Sequence, residues 1–392
     1  MDTHAPAATL QPRPSHAEPS MQTASPDEPR HARERSTHAP GVRVAPPRRG
    51  MHARRAAAIW CGLALAAVAV FAASLLIGSV PVSFAQALHA LMPSTSLHTA
   101  VANAAADDMT TEIVRTLRMP RALGGFACGA LLALAGALLQ VLLRNPLAEP
   151  YVLGVSGGAA AFALCAMIAG LATWAVQASA CAGAFVSILL VLGLARRELW
   201  RGEPQDSAPR LLLTGAVTAA GWGALITLLL TLAPDARLRG MLFWLTGDLN
   251  GIAAPWPAFA ALAVVLAFAV HAAPRLNVLL RGDAAAQALG VPVLRLRVGV
   301  YLAASLAAAA AVTTGGTIGF VGLVVPHMLR LAFGNDQRML VPAAALAGGL
   351  AVMGADLVAR TVAAPTQLPV GVVTALAGVP VFLWMLLRRR TR

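Results

Sequence analysis

Residues 118–159 read RMPRALGGFACGALLALAGALLQVLLRNPLAEPYVLGVSGGA, and the fold class follows from this stretch. Two arginines flank Pro120, and an apolar run follows that is about one bilayer thickness long, roughly 20 residues as a helix. The run breaks at Arg144-Asn145-Pro146 and resumes at a second glycine cluster, residues 154–158. Pro120 suits the first turn of a helix, where its missing N–H costs nothing. Gly125, Gly129, Ala133 and Ala137 recur every four residues, a spacing that lets helices approach closely inside a membrane. The segment is too apolar to face water and too rich in small residues to face lipid alone. It predicts an inner, tightly packed span.

The rest of the chain has the same character. Of 392 residues, 58% are hydrophobic and only 12% charged, against about a quarter charged in soluble domains. An all-α polytopic membrane protein is expected, in contact with lipid and not with nucleic acid. All 30 basic residues are arginine. Without lysine there is no Walker A phosphate loop and no Schiff-base chemistry, so any ATP hydrolysis belongs to another chain. Cys61, Cys128, Cys165 and Cys181 lie singly in apolar segments and read as small buried hydrophobes. No metal site or cofactor is expected.

Residues 1–50 are rich in Pro, His, Ala, Ser and Arg, with almost no large apolar residues. They cannot bury a core and are expected to be a disordered extension. Met51 opens a basic flank directly before the first apolar run, so the natural start is expected there, with 51–392 forming the membrane domain. Apolar runs then predict ten spans: 56–78, 119–143, 151–172, 176–195, 209–232, 255–273, 293–315, 318–334, 341–360 and 369–387. The eighth is short and interrupted by Gly319, Gly322 and Pro326.

With the N-terminus inside, the cytoplasmic segments collect all the arginines except Arg115, Arg118, Arg121, Arg237, Arg239 and Arg360. The positive-inside rule therefore places both termini in the cytoplasm. The six exceptions have two readings: anchors that snorkel to lipid headgroups, or a surface that docks an acidic partner.

The loop RLNVLLRGDAAAQALGVPVLRLR (275–297) carries Asp283 as an N-cap, a short helix over 284–289, Gly290 as its stop and Pro292 as a bar to continuation. It is either an ordinary capped loop or an element that fits a partner's groove. In the last third, Gly315, Gly316, Gly319 and Gly322 permit irregular backbone beside a pathway. His327 is either a ligand or proton carrier, or a residue hydrogen-bonded within the bundle. Asp356 invites a functional reading as an intramembrane carboxylate, but an i,i+4 pair with Arg360 explains it more simply.

Taken in order, several motifs resemble the permease subunits of ABC importers for iron chelates, haem and vitamin B12, the FecCD family. They are R-M-P-R at 118–121, Gln140, R-N-P-L-A-E-P at 144–150, L-G-V-S-x-G-A at 153–159 and W-L-T-G-D-L at 244–249. L-G-V-P at 289–292, G-F-V-G-L-V-V-P-H at 319–327, D-x-R at 336–338, A-D-x-x-A-R at 355–360 and L-P-V-G-V-V-T at 368–374 complete the set. The resemblance covers roughly residues 56–390. It implies a ten-helix subunit, an inverted repeat of helices 2–5 and 7–10, and a homodimer in the bacterial inner membrane. Two cytoplasmic ATPases and a periplasmic binding protein complete the assembly it implies.

It further implies that Arg118, Arg121 and Arg360 dock the binding protein. Arg281, Gly282, Asp283, Gln287, Leu289 and Gly290 would couple to the ATPase. Gln140, Asn145, Pro146, Gly319, Gly322, Pro326 and His327 would line or gate the pathway. Two features depart from the family: the leader, and Gln367 where glutamate is usual. Gln367 and the W-L-T-G-D-L stretch are nearer the cobalamin-type members, with ferric siderophore or haem as alternatives. The rival from another class is an ion-coupled secondary transporter, which needs ionisable residues near the midplane; the predicted spans hold essentially none. A membrane enzyme lacks the H-E-x-x-H zinc motif.

Overall fold

The structure, a computed structural model, describes residues 53–78, 80–91, 109–194 and 207–389. The expectations for residues 1–50 and for Met51 lie outside them. Among the described residues every regular element is helical. The first span, α1 (Ala53–Leu76), is followed by the short helix α2 (Phe84–Leu91). A π-helical turn, Ile113–Arg118, then runs directly into α3 (Met119–Leu142). After a 3-10 turn (Pro150–Leu153) come α4 (Val155–Ile168), α5 (Thr173–Leu194) and α6 (Ser207–Leu232). The short α7 (Asp235–Leu245) leads to α8 (Trp256–Leu279) and α9 (Asp283–Ala288). The chain closes with α10 (Val293–Gly315), α11 (Val321–Phe333), α12 (Gln337–Thr361) and α13 (Val370–Arg389).

The ten predicted spans correspond to α1, α3–α6, α8 and α10–α13. Seven of these helices are long and apolar enough to cross a membrane on their own; α4, α11 and the apolar part of α13 are shorter. At 1.5 Å per residue α4 and α11 reach only about 20 Å, less than the ~30 Å hydrocarbon layer. The short α11 was expected. The short α4 was not: its predicted span began at residue 151, but Gly154 turns left-handed (φ 72°) and separates the 3-10 turn from the helix. The helices α2 and α7 and the π turn are additions to the sequence reading, each too short for an apolar run to reveal.

The succession of long helix, break, short helix and two further spans occurs twice, as α3–α6 and as α10–α13. Each short helix starts from a left-handed residue, Gly154 before α4 and Phe320 (φ 67°) before α11. At the level of element order this is the repeat that the family resemblance implies.

The axis of the bundle is α3, which packs against α8, α10, α11 and α12. The span ending in α3 is 89% buried over its most apolar stretch, against 17% for α1 and 11% for α6, so α3 is interior and the other two are peripheral in the protomer. The four-residue row of small residues meets α12. A Cβ built on Gly129 would stand 2.7 Å from the carbonyl carbon of Gly348, so only glycine permits this crossing. Gly136, outside that row, crosses Gly322 at the start of α11 just as closely, with a Cβ 2.8 Å from the Gly322 Cα. The cysteine expectation needs correcting. Cys128 is buried, but Cys61, Cys165 and Cys181 are exposed on the outward faces of their helices, where lipid accepts a small apolar side chain as readily as a core does.

Candidate functional site

The end of α3 is costly in backbone terms. Its C-cap is Leu143, and the next residue, Arg144, has φ 47°, a region glycine adopts freely and other residues only at about 1–2 kcal/mol. The connection that follows turns back into the bundle, where Ala148 and Pro150 are buried. Gln140, 1% exposed, secures it: its Nε2 is shared among the carbonyls of Ala148, Gly322 and Leu323 at 3.3–3.4 Å.

Two further side chains of this connection reach the second break. The Tyr151 hydroxyl donates to the Ile318 carbonyl (2.9 Å) and accepts from the Ile318 N–H (2.8 Å). Glu149 Oε1 accepts from the Phe320 N–H at 3.0 Å. Phe320 is the one other non-glycine residue with positive φ among the described residues. The connection 144–154 and the non-helical segment 316–320 therefore meet inside the protein, and side chains of the first supply hydrogen-bond partners that the backbone of the second lacks. In the connection between two spans, burial pushes the Glu149 carboxyl above the usual range, and the Phe320 N–H pulls it partly back. No span contains Glu149, so the search for midplane ionisable residues passed over it.

The other expected pathway residues are near this junction or along α11. Asn145 accepts from the Leu147 N–H through its side chain at 2.9 Å, an Asx turn that starts the reversal at Pro146. Gly319 has open space where a side chain would be. Pro326 and His327 are buried on α11, and the His327 ring stands edge-on to Phe382 at 6.4 Å. Residues 154–158 also spell G-x-S-x-G, the pattern of a nucleophile elbow. That elbow requires a strand before the turn, whereas Ser156 follows a 3-10 turn and opens α4. Its glycines serve packing, Gly157 against Trp222 and Gly158 against Gly183.

At the same end of α3, Arg144 meets α9. The sequence made Asp283 the N-cap of that helix; the structure gives the cap to Gly282 (φ 117°) and makes Asp283 the first helical residue. The reason is electrostatic. The Asp283 carboxylate is buried and taken up by Arg144 on one oxygen and by Arg297 on the other, the latter at 2.5 Å. The remaining face of α9 is exposed at Ala284, Gln287 and Ala288, as are the flanking Arg281 and Leu289. Gly290 (φ 74°) ends the helix as expected, with its N–H donating to the Gln287 carbonyl.

The opposite end of α3 carries the predicted docking residues, and all three are engaged within the chain. Arg118, 6% exposed, donates from Nη1 to the Leu75 and Leu76 carbonyls (2.7 and 3.1 Å) and from Nη2 to Val80, closing the end of α1. Arg360 donates to the Ser74 carbonyl at 3.2 Å and pairs with Asp356 at 3.3 Å, the i,i+4 pair that the sequence suggested. Arg121 holds Asp356 from Nε and Nη2 at 2.8–3.1 Å and reaches Gln367 (2.8 Å) and Asn250 from Nη1. Arg118, Arg121 and Arg360 line a cavity of about 440 Å³ together with Gly78, Asn250, Ile252 and Gln367. The lining holds three arginines and no carboxylate, so the cavity favours an anionic occupant.

The other three arginines of that group are also occupied. Arg115 donates to the Ala90 carbonyl, Arg237 closes the end of α4 at Met167 and Ile168, and Arg239 stacks over Phe243. Two motifs turn out to be joints. Asp336 caps α12 by accepting from the Arg338 N–H and is held by Asn277 of α8. In W-L-T-G-D-L, the Gly247 carbonyl receives the Val370 N–H at the start of α13, while the Asp248 N–H donates to Gly315. Sequence reasoning did not single out Arg144, Arg297, Glu149 or Tyr151 as site residues. For Arg144 and Glu149 the available signal was a charged residue beside a proline break.

Comparison with known proteins adds the following. The FecCD transport family matches residues 65–388. The vitamin B12 import system permease protein BtuC of Salmonella paratyphi A is 40% identical over 277 residues, covering 69% of this chain and 82% of that protein. The protein of the same name from Escherichia coli O9:H4 is 39% identical over 279 residues, 70% and 83% of the two chains. A metal-chelate type ABC transporter solved in an inward-facing conformation superposes with a TM-score of 0.72 at 28% identity, over 85% of this chain and 99% of that one.

Proposed function

The chain belongs to the FecCD transport family, and from that premise we propose that it is the membrane permease subunit of an ABC importer that carries a cobalamin-type metal chelate. The observation that carries the substrate is the 40% identity to vitamin B12 permeases over 277 residues. The chain supplies the conduit; a partner chain supplies ATP hydrolysis, in keeping with the absence of lysine and hence of a phosphate loop. Residues 51–392 form the working body, two copies of which enclose the pathway in the bacterial inner membrane, with both termini in the cytoplasm. On this reading the exposed face of α9 receives the ATPase, and the 144–154 and 316–320 breaks border the route.

The arginine cavity is the docking face for the acidic lobes of a periplasmic binding protein. Asp356 holds Arg121 and Arg360 oriented until a partner's carboxylate competes for them, which is how buried arginines remain able to dock. Because Arg118 also closes α1, its reversal to Glu would disturb folding. Arg121→Gln is the cleaner probe, because Asp356 keeps Arg360 as a partner; it is expected to lower thermal stability and, at a temperature where the variant is still folded, to weaken capture of the binding protein at least tenfold, and equal capture would refute the docking role.

The test of function is uptake. The chain, reconstituted in proteoliposomes with its ATPase and binding protein, is expected to accumulate cyanocobalamin only when ATP is present, in preference to a ferric siderophore or haem. Preference for either of those would overturn the substrate. Accumulation without the ATPase, driven by a proton gradient, would overturn the class.

A further inference from the structure

We propose that residues 144–151 form a strap that transmits displacement of α9 to the non-helical start of α11, with Asp283 fixing its near end and Glu149 its far end. Four observations carry this. Arg144, the first residue of the strap, is bound to Asp283, and Asp283 is bound in turn to Arg297 on α10, so α9 cannot shift without either moving Arg144 or exposing a buried carboxylate. The far end grips the second break at three points: Glu149 on the Phe320 N–H, Tyr151 on both backbone groups of Ile318, and Pro150 against Gly322. Between them lie only a handful of residues, stiffened by Pro146, Pro150 and the Asn145 turn. The two left-handed non-glycine residues among the described ones, Arg144 and Phe320, stand at the two ends of this connection. Strain at such positions persists only where the surroundings over-determine it, and it collects at elements with two states.

A purely structural strap would need neither of these features. A glycine at 144 would end α3 at lower cost, and a neutral side chain at 149 would satisfy one N–H. An arginine in a costly conformation, paired with a carboxylate on α9, instead gives the strap a grip on that helix. Asp283 and Glu149 are positioning residues on this account: neither need touch the transported solute.

The inference rests on the importer reading for its function but not for its first test. In the assembled complex in lipid nanodiscs, Asp283→Asn is expected to speed amide hydrogen exchange over residues 320–324 at least tenfold, with exchange in the middle of α5 unchanged. Unchanged exchange at 320–324 would overturn the strap, whatever the protein transports. In proteoliposomes, Asp283→Asn and Glu149→Gln are each expected to lower the solute moved per ATP hydrolysed at least fivefold, and Asp283→Glu to restore at least half of it. Uptake and hydrolysis falling in equal proportion would mean that Asp283 only seats the ATPase, which also overturns the proposal. A wild-type complex that hydrolyses ATP but accumulates nothing would defeat the importer reading, and the exchange measurement would still decide the strap.

Discussion

Replacing Gly136 by alanine tests whether the junction of the two breaks depends on direct backbone contact. Two effects oppose each other. Alanine in a helix interior gains about 1 kcal/mol over glycine in propensity. Against this, the new Cβ would stand 2.5 Å from the Gly322 carbonyl carbon and 2.8 Å from its Cα, where carbon atoms prefer about 3.5–4.0 Å. The obstacle is backbone, so no rotamer change relieves it, and α3 and α11 must separate by roughly 1 Å. Overpacking of this kind costs about 1–3 kcal/mol, and with backbone as the obstacle the upper end applies, so the clash wins by roughly 2 kcal/mol. With an unfolding entropy of about 2.1 cal/mol/K per residue, that lowers the melting temperature of a 392-residue chain by roughly 2–3 °C, measured on the purified protein in nanodiscs. The same separation stretches the Gln140 hydrogen bonds to Gly322 and Leu323, so uptake should fall further than stability. Gly62→Ala is the control, since a Cβ there meets nothing within 4 Å. Equal melting temperatures for the two variants would refute the account of α3 packing.

Three further outcomes are expected. Gln140→Leu leaves the buried carbonyls of Ala148, Gly322 and Leu323 short of a donor, at about 1–3 kcal/mol; a melting temperature equal to wild type would count against the junction. Asp356→Asn removes the counter-charge of two buried arginines, Arg121 and Arg360, and breaking such a pair costs about 3–5 kcal/mol. The chain should accumulate poorly in the membrane, and adding Arg121→Leu should recover part of the loss in a double-mutant cycle. Arg118→Lys should free the end of α1, because an ammonium cannot span the Leu75, Leu76 and Val80 carbonyls as the guanidinium fork does. Faster amide exchange over residues 76–78 is the readout, and wild-type rates there would sink the clamp.

How far the sequence could be read depended on the distance over which each signal acts. Spans were legible because twenty apolar residues are a local property, and the Gly125–Gly129–Ala133–Ala137 row was legible because its period is that of one helix face. The crossing of Gly136 with Gly322 was not, since it depends on two glycines 186 positions apart, with no shared period. Asp283 shows the same limit at one residue. Its neighbours made it a textually ideal N-cap, but two arginines brought in from α3 and α10 offered a stronger partner than its own helix's N–H groups. Glu149 was passed over because it belongs to a connection, and only folding returns that connection to the interior. The Arg360–Asp356 pair was legible because it is one helical turn, but the carbonyls that hold Arg118 come from the end of α1 and beyond it, and the carboxylate that holds Arg121 comes from α12, which no local reading joins to α3.

The polar and apolar contacts of α3 are divided in a way that bears on how the molecule works. Asp283 and Asp356 are the two buried carboxylates among the described residues, and each lies between two arginines, one of which stands at an end of α3. Arg121 lies in the first turn of the 24-residue helix and Arg144 follows its end, about 35 Å away at 1.5 Å per residue. Between them α3 is held by glycine contacts at Gly129 and Gly136. Backbone packed on backbone has no side chain to rearrange, so the middle of the helix accepts one spacing to its neighbours. An arginine–carboxylate pair can swing together without a void opening, and the Arg144 side chain, 35% exposed, has room to follow Asp283. Conformational change is therefore expected at the ends of α3 and in the breaks they adjoin, while the glycine-packed middle moves as one rigid piece.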